Sequence, residues 1–61
     1  MGKNEFLQRR KNLKDKIKQG EKDKKNAWLR GNYMGIEKAD REIYNAGLEL
    51  RKLEDKNPQF T

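Results

Sequence analysis

The chain has 61 residues, a formal net charge of +6 at pH 7, 43% charged residues and only 31% apolar ones. A chain this short makes one domain and buries only about 60% of the surface it exposes when unfolded, so one copy gathers little from its core. Cys and His are both absent, which removes disulfides and the usual structural zinc sites. Ser is absent too, and the one Thr is Thr61. The common nucleophiles and the common general base are missing together, so a non-enzymatic protein without metal or cofactor is expected.

Self-association is the remaining common route to stability for so small a core, and a two-fold homodimer is its simplest form. No run of about 18 apolar residues exists to span a membrane. Residues 1–18 carry scattered charges and no apolar h-region, so no secretory signal is expected there. The default location for such a cysteine-free chain is the cytoplasm.

Residue types favour helix before any pattern is sought. Val is absent and the β-branched residues are Ile17, Ile36, Ile43 and Thr61, whereas Lys, Glu, Leu, Arg, Ala, Gln and Met dominate,. In the first half Phe6, Arg10, Leu13, Ile17, Gly20, Lys24 and Ala27 follow helical spacing, with Arg10, Gly20 and Lys24 interrupting the apolar seam. In the second half Ile36, Ala39, Ile43, Ala46, Leu50 and Leu53 are spaced 3, 4, 3, 4, 3, a heptad seam along one helix face.

Punctuation separates the two. Asn4 is a candidate N-cap, Gly31 can take the left-handed conformation that ends a helix, and Asn32 can cap the next. Pro58 stops the second helix near Lys56. The expectation is helix 1 over 4–30, a turn at 31–32, helix 2 over 33–56 and a tail at 57–61. Gln19-Gly20 leaves a three-helix alternative, but an interior Gly costs only about 1 kcal/mol relative to Ala, and the seam resumes in register beyond it. The fold class is therefore all-α, an antiparallel two-helix hairpin that dimerises into a four-helix bundle. In size and pattern the chain resembles small hairpin regulators that form such bundles, a resemblance of architecture that carries no residue roles.

The candidate oligomer seam is Ile36, Ala39, Ile43, Ala46, Gly47, Leu50 and Leu53. Its small residues Ala39, Ala46 and Gly47 admit a closely packed helix, either as a packing contact or as a groove for a ligand helix. A tetratricopeptide repeat is excluded because Trp28 lies only eleven positions before Ala39, too few for that motif. A helix-turn-helix is disfavoured because its next apolar position falls on Glu37. No phosphate-cradling glycine loop, zinc spacing or calcium loop is present.

Charge is unevenly divided. Residues 1–32 hold eleven Lys/Arg and four Asp/Glu, whereas residues 33–61 hold five and six. Lys11, Lys14, Lys18, Lys22 and Lys25 form a stripe about 80° wide, roughly 120° around the helix from the apolar seam. It is a binding surface for phosphate backbones or for the acidic face of another protein, or else a solvated face balanced by Glu37, Asp40, Glu42 and Glu49 of the other helix. Trp28, Leu29, Arg30, Tyr33 and Met34 gather around the turn. They either close the end of a bundle or form an exposed hot spot for a protein partner.

Three functions follow in order. The first is a small regulator or inhibitor that docks on another protein and occludes it, as do short accessory proteins of bacteriophages. The second is sequence-independent nucleic-acid binding by the basic face of helix 1. The third and weakest is attachment to an anionic membrane through Phe6, Leu7, Leu13 and Ile17 with the flanking lysines.

Overall fold

The computed structural model describes residues 1–61. Two helices, α1 (Lys3–Leu29) and α2 (Tyr33–Lys56), pack against each other as a hairpin, followed by a 3₁₀ turn at Pro58–Phe60. The Cα envelope measures 43 × 15 × 13 Å, the shape of two helices lying side by side along their full length. No helix is long and apolar enough to cross a membrane.

α1 begins one residue before the expected position and without the Asn4 cap. Gly2 is the N-cap, its carbonyl accepting from the Phe6 N–H at 3.0 Å, and Asn4 falls inside the first turn. The early start gives Phe6 a turn of helix on its N-terminal side, which holds its ring over the core. α1 then runs unbroken through Gly20, which removes the three-helix alternative. The reason is packing: Gly20 is buried, and a methyl built on its Cα would lie 2.6 Å from Ile43 Cγ1. Only a residue without a side chain lets α2 approach so closely at this level.

Gly31 has φ +69°, a left-handed conformation that costs other L-residues about 1–2 kcal/mol. With it in place, the Asn32 N–H reaches the Ala27 carbonyl at 2.8 Å and the Gly31 N–H reaches the Trp28 carbonyl at 3.1 Å. These two bonds satisfy carbonyls that the end of α1 would otherwise leave open. One residue on, the Asn32 side chain accepts from the Gly35 N–H at 3.1 Å and caps α2 as the sequence predicts. The reversal is thus tied at both helix ends, which forces α1 and α2 antiparallel.

The core is a line of residues one heptad apart. Phe6, Leu13, Gly20 and Ala27 of α1 are buried, and Ala39 and Ala46 of α2 are buried opposite them. The buried side chains are large at the open end, Phe6 and Leu13, and small towards the turn, Gly20 and Ala27. The open end is closed by the tail. Asn57, itself buried, donates from Nδ2 to the Leu53 carbonyl at 2.9 Å, and the 3₁₀ turn carries Phe60 to a ring-centroid distance of 5.3 Å from Phe6.

Candidate interaction surfaces

The seam Ile36–Leu53 serves first inside the chain. Ala39 and Ala46 are buried against α1, while Ile36, Ile43, Gly47, Leu50 and Leu53 each keep part of their surface open. The polar interruptions of the α1 seam are explained by position. Arg10 reaches across to Glu54 at 4.0 Å, and Lys24 to Asp40 at 2.7 Å. Both cations flank the helix contact, where each meets a carboxylate of α2. Such partly exposed pairs contribute at most about 1 kcal/mol, so they set register more than stability.

The lysine stripe runs beside these pairs and takes no part in them. Lys11, Lys14, Lys18, Lys22 and Lys25 are all exposed, and none has a carboxylate within 4.0 Å. The carboxylates that would balance the stripe are engaged or placed elsewhere. Asp40 is held by Lys24 and Glu37 by Arg41 at 3.4 Å, while Glu42 and Glu49 line a groove with Lys16, Gln19 and Asn45. Leu7 and Arg10 join Lys11, Lys14 and Lys18 around a second groove, and Asp15 and Glu21 lie alongside the stripe. The result is an extended positive surface on one flank of α1, diluted but not neutralised by two acids.

Trp28, Leu29, Tyr33 and Met34 are 68%, 66%, 81% and 82% exposed, and Arg30 beside them is exposed as well. They do not close the end of the hairpin. The space between the helices there is already filled by Ala27, Gly35 and Ala39, and the helices are too close to admit anything larger. The large side chains therefore project outward from the last turn of α1 and the first turn of α2. Four large apolar residues exposed around one turn are a local concentration, unlike the scattered single residues that every surface carries.

Tyr44 and Leu48 are also exposed. The seam pattern gives no reason to single them out, because both project from the side of α2 turned away from α1. Phe6 and Leu13, two of the four residues named for membrane attachment, are in the core instead. No group of three or more acidic residues comes together in a way that would hold a metal ion.

Comparison of the chain with protein-family models, with curated proteins and with solved structures gave no match. The functional reading consequently rests on these surfaces alone.

Proposed function

We propose that this is a small non-enzymatic binding protein of the cytoplasm, a regulator or inhibitor that docks on another protein and occludes it. The observation that carries this reading is the exposure of Trp28, Leu29, Tyr33 and Met34 around the turn, with Arg30 among them. Aromatic residues and arginine supply most interface energy, and a rigid helix end presents them at little entropic cost. The complementary partner has an apolar pocket rimmed by carboxylates. The unpaired lysines of α1 then speed encounter by attraction and leave affinity to the apolar contact.

The hairpin also pairs with a second copy into a four-helix bundle. Five buried apolar side chains are a small core for 61 residues, and domains of this size commonly gain the rest by association.

Affinity capture from lysate with the wild-type chain and with a Tyr33→Ala/Met34→Ala variant tests the docking reading. One protein is expected to be retained by the former and lost by the latter, with helicity equal in both. Capture by neither chain above background would end it. The free lysine stripe favours a second reading, nucleic-acid binding through the basic face of α1 without sequence preference. It predicts affinity that falls steeply with salt and is abolished by Lys14→Glu/Lys18→Glu/Lys22→Glu. Failure of both duplex and single-stranded probes to shift at low salt would remove that reading.

A further inference from the structure

The two sides of the hairpin differ. The cross-helix pairs Arg10–Glu54 and Lys24–Asp40 mark two facing rows on one side. On α1 the row is Arg10, Lys14, Ile17, Glu21, Lys24 and Trp28; on α2 it is Ile36, Asp40, Ile43, Gly47, Leu50 and Glu54. Both follow 4, 3, 4, 3, 4 spacing, which is a second heptad seam beside the one that forms the hairpin. Ile17, Ile36, Ile43 and Leu50 are half-buried in these rows. The other side is polar through its middle and its turn end, where Lys16, Gln19, Asp23, Asn26, Glu42 and Asn45 line the grooves.

The two rows also differ in charge. That of α1 carries three cations and one acid, and that of α2 two acids and no cation. From this complementarity we infer that a second copy of the chain packs on this side with the two-fold axis along the bundle, so that α1 of each copy lies against α2 of the other and both turns lie at the same end. The inference rests on the pairing proposed above and specifies its geometry. In that arrangement Lys24 approaches the partner's Asp40, Arg10 the partner's Glu54, and Ile17 the gap over the partner's Gly47 beside the partner's Ile43. Turning the second copy end for end instead sets α1 against α1 and α2 against α2. Arg10 then meets the partner's Lys24 and Asp40 meets the partner's Glu54, like charge against like.

Size is adequate. A face 43 Å long and 15 Å wide offers on the order of 650 Å² per chain, or about 1,300 Å² for the pair, within the range of stable interfaces. Gly47 fits the position, since nothing lies within 4 Å of a Cβ built there in the isolated hairpin. It is an opening that a side chain of a second helix fills. Lys11, Lys18 and Lys22 lie further round α1 and stay free. The functional consequence is that both turn clusters gather at one end of the bundle, a two-fold platform in which Leu29, Tyr33 and Met34 of both chains face outward for docking. Trp28, last in the α1 row, lies at the edge of the interface between copies.

Sedimentation and spin-label distances test this on the full chain, which has no native cysteine to interfere. An Arg30→Cys chain carrying a nitroxide is expected to sediment as a dimer with turn-to-turn backbone spacing under about 20 Å, as neighbouring helices about 10 Å apart require. A dimer whose labels stand near the 43 Å length of the hairpin would overturn the geometry and leave the pairing standing. A monomer at all accessible concentrations would overturn both. Gly47→Glu, which has open space in one hairpin, should keep its helicity while weakening association at least tenfold; a dimer unaffected by that charge would show that the interface lies elsewhere.

Discussion

The two ends of the hairpin solve the same problem in opposite ways. At the open end the chain brings large apolar residues together and seals them, with Phe6 fully buried under Phe60 and Asn57 tying the tail to α2. At the turn end the helices meet through glycine and alanine, the backbone bonds around Gly31 close the reversal, and the large apolar residues are left outside. Stability is therefore concentrated at one end and recognition at the other. A closely packed turn needs no large side chain to hold it, so Trp28, Leu29, Tyr33 and Met34 are released for contact with something else.

If stability is concentrated at the open end, Phe6→Ala is the substitution that matters most. Truncating a buried phenylalanine costs about 3–5 kcal/mol, comparable to all that a core of this size provides. The expected outcome is loss of most helical circular dichroism at micromolar concentration and 25 °C. A Phe6→Ala chain that melted within a few degrees of wild type would mean that the sealed end is not where the hairpin is held.

Gly20→Ala probes the middle of the contact, where two effects of opposite sign compete. Alanine gains about 1 kcal/mol of helix propensity, but its methyl would sit 2.6 Å from Ile43 Cγ1, and such overpacking costs about 1–3 kcal/mol. The sum is a net loss of about 1 kcal/mol. Shortening Ile43 to alanine in the same chain should convert the glycine substitution into a gain, and urea denaturation of the four chains of this cycle reads the coupling directly. Strictly additive effects would show that the helices are not in close contact at Gly20.

At the turn, Asn32→Ala removes the side chain that caps Gly35, and loss of such a cap costs about 1 kcal/mol. A drop in melting temperature without a change in the helicity of the folded state is the expected result. No change would mean that water satisfies the first turn of α2 equally well.

Much of this architecture is legible in the residues themselves. Heptad spacing from Ile36 to Leu53 places the α1-facing side of α2. Gly31, Asn32 and Pro58 mark the helix ends because each has a conformation or a bonding pattern that few other residues share. The interruptions at Arg10 and Lys24 look like defects in one helix, because their carboxylate partners lie 44 and 16 positions away and belong to the other helix. Gly20 is ambiguous for the same reason, since what makes it favourable is Ile43, not its neighbours in sequence. Whether the aromatic residues at the turn face inward or outward is also invisible. That depends on the separation of the helices, which Ala27, Gly35 and Ala39 set together.

The smallest effect on stability should come from the residues with the largest effect on binding. Tyr33 and Met34 lie at the start of α2 with most of their surface in water, and exposed substitutions away from caps and cores change stability by less than about 0.5 kcal/mol. Alanine is also a better helix former than tyrosine, so Tyr33→Ala/Met34→Ala should melt at or slightly above the wild-type temperature. Truncating a hot spot in a partner interface costs at least about 2 kcal/mol, roughly a thirtyfold loss of affinity by the usual conversion. Titration calorimetry against the captured partner, set beside thermal melts of both chains, places the two numbers side by side. A variant that binds as well as wild type but melts lower would invert the division of labour between the ends, making the turn cluster a structural element and returning the search for the docking surface to the lysine flank of α1.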